Sequence, residues 1–211
     1  DDHWIDFFIR NKVSVGVSID GPEELHDFAR KNASNSGSFK SVMRGVDLLQ
    51  SSSIDYGVVA VANKFTIQKP EELFWFMHKI DKSFTVNPCT APVGEIPVSQ
   101  DLSISPFEFT KFLLELFEFW IELDDPEYRI KPLEDIVAGI MGKMPRLCKY
   151  TGSCQKYIVV GHDGKIYPCD EFLNDMYLLG NLHSNSLADI LLGPSASQYF
   201  SGRDVISNSC K

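Results

Sequence analysis

No run of apolar residues in this 211-residue chain approaches the length of about 20 that a membrane-spanning helix requires. The amino end, Asp1-Asp2-His3-Trp4, lacks the basic-then-apolar pattern of a secretory leader. Basic charge is also scarce. Twenty Lys and Arg stand against 29 Asp and Glu, a net charge of −9, which argues against a surface that binds nucleic acid by neutralising phosphates. Cysteine is sparse: there are five, an odd number in an acidic chain with no leader, which favours reduced thiols or metal ligation over a disulfide framework. No two of them stand two to four residues apart, the knuckle spacing common in structural zinc sites. These absences predict a cytoplasmic protein with neither membrane nor nucleic acid as partner.

Apolar residues make up 44% of the chain and aromatics 12%, enough for a well-buried core. The first half alternates short β-branched runs with helical periodicity. Val13 to Ile19 reads as a strand that stops at the turn Asp20-Gly21-Pro22, with a helix starting at Pro22. Phe39, Val42, Met43, Val46 and Leu49, three and four apart, lie on one face of a helix over residues 38–50. Val58 to Val61 and Phe84 to Asn87 read as two more strands, with a helix opened by Pro70-Glu71-Glu72 between them. Connections this long join parallel strands, so the class is α/β, part of a barrel or of a doubly wound sheet. Residues 88–105 are loop-like. Ser105-Pro106-Phe107-Glu108 then has the pattern of a capping box, and the helix it opens, rich in Phe and Leu through Trp120, is expected to be mostly buried.

The character of the chain changes after Pro145, which predicts a boundary near residue 143 and two parts, 1–143 and 144–211. Tyr157 to Val160 and Lys165 to Tyr167 read as a β-hairpin, with Gly161 and Gly164 supplying positive φ at the turn. Ser186, Asp189 and Gly193 frame a short helix.

Four of the cysteines fall in this second part, separated by five, fourteen and forty residues in the order Cys148, Cys154, Cys169, Cys210. Thiolates are soft ligands suited to iron–sulfur clusters or zinc, and the wide spacing disfavours zinc. Spacing alone leaves simple packing open, because free cysteine is among the most buried residue types. The surrounding pattern adds to it. Cys148-x5-Cys154-x14-Cys169-Asp170, with a hairpin before the last thiol and Gly180-Asn181 beyond, resembles the SPASM domain of anaerobic sulfatase-maturating enzymes and related radical SAM enzymes. Upstream, Ser18-Ile19-Asp20-Gly21-Pro22-x3-His26-Asp27-x2-Arg30 and Gly37-Ser38-Phe39 resemble the fourth-strand region of that family's barrel, and Asn87-Pro88-Cys89 the end of its sixth strand.

The resemblance implies the second half of a partial (β/α)6 radical SAM barrel followed by the start of a SPASM auxiliary domain, in a chain that is a fragment at both ends. It implies [4Fe-4S] clusters and S-adenosyl-L-methionine as cofactors. Cys148, Cys154 and Cys169 would ligate the first auxiliary cluster and Cys210 the second. Ser18 and Arg30 would contact S-adenosyl-L-methionine, Arg30 through a carboxylate; in their absence Ser18 would cap its turn and Arg30 would pair with Glu23, Glu24 or Asp27. Asp170 would be the acid/base that takes a proton from the substrate. Cys89 and His26 are expected to play structural parts. The implied reaction is oxidation of a peptide or protein, foremost sulfatase Cys or Ser to formylglycine, with thioether, carbon–carbon or cyclophane formation in a ribosomal precursor peptide as the alternative. A ferredoxin or flavodoxin would be the reductant. A zinc- or thiol-containing binding module without catalysis is the competitor from another class. The Cys-x3-Cys-x2-Cys loop that carries the radical-generating cluster is missing from these residues.

Overall fold

The computed structural model describes residues 2–52, 54–81, 83–90, 102–151 and 157–201. They fall into two compact units that divide between Glu134 and Asp135, ahead of the boundary expected near residue 143. The earlier division has a local cause: the Asp135 carboxylate accepts the backbone N–H groups of Arg146 and Leu147, tying the preceding helix to the segment that follows it.

The first unit opens with helix α1 (Asp2–Asn11) and is built on four strands: β1 (Val15–Ser18), β2 (Tyr56–Ala62), β3 (Ser83–Pro88) and β4 (Arg129–Lys131). They lie in chain order and all pairs are parallel. The crossovers contain α2 (Glu23–Ala29) and α3 (Phe39–Ser51), then α4 (Pro70–Ile80), then α5 (Pro106–Leu123). One face of β2 is closed, with Val58, Ala60 and Ala62 buried against a core that includes Leu73, Phe74, Phe112, Leu116 and Ile130. Val59 and Val61, on the other face, are only half-buried. This alternation is what a sheet shows when helices cover one side alone.

β4 and α1 are among the elements that escaped the sequence. β4 is three residues long with Arg129 and Lys131 around a single buried Ile130, too short for any periodicity to register. α1 had a readable signal in Trp4, Phe7 and Phe8, which meet ring to ring at 5.7 and 5.8 Å between centroids.

α5 starts as expected. Ser105 Oγ accepts the Glu108 N–H at 3.3 Å, and the Glu108 carboxylate accepts the Ser105 N–H at 2.8 Å. Its burial is a correction. Phe112, Leu113 and Leu116 are buried, but Phe107 is 80% exposed and Leu114 and Ile121 are each 59% exposed. A helix apolar nearly all round can offer only one stripe to the sheet, and the opposite stripe stays open in the residues described.

The second unit takes in most of α6 (Leu133–Ile140), then the one-turn α7 (Cys148–Thr151) and an antiparallel sheet of β5 (Val159–Val160), β6 (Lys165–Tyr167) and β7 (Gly180–Asn181). Helices α8 (Leu187–Leu192) and α9 (Pro194–Ser201) close it over Ile166, Leu179, Ile190 and Ala196. The hairpin turns as the sequence predicts, with one change: Gly164 alone has positive φ, at +75°, while Gly161 donates to the Lys165 carbonyl at 2.8 Å. Ser186 caps α8 by accepting the Asp189 N–H at 3.2 Å. Gly193 ends that helix at φ −76°, so close packing rather than left-handed backbone selects glycine: an added Cβ would stand 2.8 Å from the Asp189 carbonyl oxygen.

Candidate functional site

In parallel α/β sheets, ligands bind beyond the carboxyl ends of the strands. At that end of β1 and β2 the chain builds a buried polar network. Asp20, 1% exposed, accepts Nε and Nη2 of Arg30 at 2.6 and 3.1 Å and the Val61 N–H at 2.8 Å. The in-chain partner of Arg30 is therefore Asp20, not Glu23, Glu24 or Asp27. Glu23 pairs with Lys40, Glu24 with Lys69, and Asp27 accepts the Phe39 N–H. A two-point, charge-assisted pair of this kind fixes the plane of the guanidinium.

His26 sits behind this pair, fully buried. Its Nδ1 accepts the Asp20 N–H at 3.3 Å, its Nε2 lies 2.9 Å from Ser38 Oγ, and that hydroxyl donates to the Arg30 carbonyl at 2.9 Å. The pattern assigns the proton to Nε2. Burial lowers the His26 pKa from its ordinary value, outweighing the nearby Asp20 carboxylate, so the ring is neutral. Gly37 has a steric reason: a Cβ there would lie 1.9 Å from Asp27 Oδ2. The upstream pattern from Asp20 to Phe39 is thus a single interlock.

Ser18, exposed at the end of β1, and Arg30 line one open cleft of about 700 Å³ together with Gly16, His26, Lys31 and Ser38. Asp20 takes Nε and Nη2 of Arg30, whose side chain remains 30% exposed. Cys89 follows β3; its N–H donates to the Ala62 carbonyl at 2.7 Å, and burial together with the Asp20 carboxylate pushes its thiol up. Sequence reasoning took Asp20 as a turn residue. The signal that would have found it is an acid at the strand end with an arginine ten positions on.

The second unit holds the other four cysteines. Cys148 begins α7, and Cys169 follows β6 after the buried Pro168. Both are half-buried and free. Cys169 Sγ donates to Asp170 Oδ1 at 3.2 Å. Burial foremost, then Asp170 and Cys148, push the Cys169 thiol up, against the opposing backbone N–H of Glu171. The influence of Cys148 is the smallest of these, and 20 residues separate it from Cys169 in the sequence. Asp170 is exposed at the head of a 3-10 turn, Asp170–Phe172. Cys154 and Cys210 lie outside the described residues, and among those described no three candidate ligands gather at one point. Two free, half-buried soft donors in this unit fit an iron–sulfur centre that draws its remaining ligands from elsewhere.

Residues 148–211 match the SPASM family, an iron–sulfur cluster-binding domain. Over 208 residues the chain is 32% identical to the serine-type anaerobic sulfatase-maturating enzyme of Bacteroides thetaiotaomicron, covering 90% of this chain and 50% of that one. With the cysteine-type enzyme of Clostridium novyi it shares 30% identity over 190 residues, 89% of this chain and 51% of the relative. Among solved structures, native anSMEcpe with bound AdoMet and Kp18Cys peptide superposes on the whole chain with a TM-score of 0.85 at 27% identity, 59% of that chain being covered. The chain is therefore similar to the anaerobic sulfatase-maturating enzymes along nearly its whole length, with the SPASM match confined to residues 148–211. It spans about half the length of these curated relatives. The expected fold class, later strands of a radical SAM barrel followed by the start of a SPASM domain, is the one found. No helix among the described residues is long and apolar enough to cross a membrane.

Proposed function

We propose that the protein containing this chain oxidises a Cys or Ser side chain of a sulfatase to formylglycine, using S-adenosyl-L-methionine and [4Fe-4S] clusters, with a ferredoxin or flavodoxin as reductant. The observation that carries this reading is the Cys169–Asp170 pair, in which an exposed carboxylate accepts the thiol of a candidate cluster ligand at 3.2 Å within the SPASM match. Cysteine-type and serine-type maturating enzymes among the relatives support the substrate class.

In this reading Cys148, Cys154 and Cys169 hold the first auxiliary cluster, and Cys210 contributes to the second. When bound, the clusters and S-adenosyl-L-methionine supply the one-electron chemistry: removal of a hydrogen atom from the substrate Cβ and a sink for the remaining electron. Asp170 would accept the thiol or hydroxyl proton as the C=S or C=O bond forms; the serine product is then formylglycine itself, and the thioaldehyde from cysteine becomes formylglycine by hydrolysis, water entering and hydrogen sulfide leaving. Its exposed position leaves the carboxylate open to a substrate side chain. Arg30, held in orientation by Asp20, takes the carboxylate of S-adenosyl-L-methionine, and Ser18 hydrogen-bonds the same ligand from the end of β1.

The test is Asp170→Asn in the complete protein. An amide cannot accept the proton, so oxidised peptide should fall by about 10²–10⁴, the usual effect of removing a general base. Cluster absorbance and 5′-deoxyadenosine formation should persist. Undiminished product would sink the role of Asp170, and loss of cluster absorbance would make it a support for Cys169 instead.

A further inference from the structure

We propose that Asp135 is a positioning residue for the Cys148 thiolate: it holds the backbone from which that ligand projects. The proposal rests on the reading of Cys148 as a cluster ligand.

Asp135 lies on α6, 2% exposed, where a carboxylate needs specific partners to offset its burial. Its Oδ1 accepts two backbone N–H groups, those of Arg146 and of Leu147, the latter at 3.2 Å. These are the two residues directly before Cys148. The chain reaches them by doubling back. Gly142, at φ +71°, turns the chain after α6, and Pro145 comes back to within ordinary contact distance of the Cβ position at Gly139. Residues 143–147 contain no helix or strand; the Lys143 N–H goes to the Ala138 carbonyl at 2.8 Å, and those of Arg146 and Leu147 go to the Asp135 side chain. α7, only four residues long, cannot hold its own direction, because a single turn is unstable by itself. The Asp135 clamp therefore sets where Cys148 starts and which way its sulfur points.

Groups that orient metal ligands without touching the metal typically change metal affinity by about 10–100-fold when removed. The experiment compares Cys148→Ala, Asp135→Ala and Asp135→Asn in the complete protein after anaerobic reconstitution with ferrous iron and sulfide. Iron and acid-labile sulfide per chain are measured, together with amide hydrogen exchange of the apoprotein. Asp135→Ala should lose about four irons per chain, one cubane, as Cys148→Ala does. Asp135→Asn should keep them, since its amide oxygen still accepts both N–H groups. In apo Asp135→Ala, exchange should quicken at residues 146–148 while Ile166 and Gly180, in the sheet, stay protected.

Full iron in Asp135→Ala, with iron lost in Cys148→Ala, overturns the positioning role and leaves the ligand reading standing. Full iron in Cys148→Ala overturns both. Equal loss in the Ala and Asn variants of Asp135 overturns the acceptor basis. Lost protection at Ile166 and Gly180 makes Asp135 a general stabiliser of the unit, which also overturns it.

Discussion

At the scale of single residues, His26 has the most distinctive physics. Its ring is buried and neutral between the Asp20 N–H and Ser38, with Asp20, Asp27 and Arg30 as the charges around it. A histidine whose folded pKa is depressed leaves the unfolded chain binding more protons as pH falls below the ordinary value of 6.5. Its contribution to stability is therefore full above 6.5 and lost as pH falls through the lower, folded value. Thermal midpoints of the wild type should drop between about pH 8 and pH 5, and His26→Gln should show a shallower drop over the same window. Parallel profiles would refute this account. The expected structural part for His26 was legible in the sequence because four positions separate it from Arg30, one helical turn. The identity of its partners was not, since Ser38 approaches from across the loop between α2 and α3.

Among elements, the small sheet of the second unit shows how tightly short strands depend on glycine. β7 has two residues, and an added Cβ on Gly180 would stand 2.7 Å from Ile190 Cγ1 on α8. Ile190 is 4% exposed and has no room to swing away. Gly180→Ala should lower second-unit stability by about 1–3 kcal/mol, the usual cost of overpacking, read as a fall in the denaturant midpoint. An unchanged midpoint would mean that α8 can slide without loss. The hairpin before it was legible because β-branched residues flank a Gly-rich turn, and α8 because Ser186 and Asp189 signal a cap. β4 and the Asp135 clamp were not, because one is a single apolar residue between two cations and the other joins residues 11 and 12 apart through backbone N–H groups that carry no sequence signature.

For the molecule as a whole, the division of labour among cysteines leads to a direct expectation. These 211 residues contain no Cys-x3-Cys-x2-Cys loop, so after anaerobic reconstitution with iron, sulfide and dithionite they should form no 5′-deoxyadenosine above a no-protein control. Turnover above that control would refute the assignment of radical generation to residues outside this chain. The barrel half was legible at this scale because strand and helix periods alternate cleanly. The candidate ligand set was legible only through a resemblance, since the twenty residues between Cys148 and Cys169 carry no local sign of it. The two-unit division also has an optical consequence. All three tryptophans, Trp4, Trp75 and Trp120, belong to the first unit, and the indole of Trp120 donates to the Tyr128 carbonyl at 2.8 Å. Intrinsic tryptophan emission therefore follows the melting of the first unit alone, while the visible absorbance of a reconstituted iron–sulfur cluster would follow the unit that holds Cys148 and Cys169. One cuvette can record the two unfolding events as separate colours.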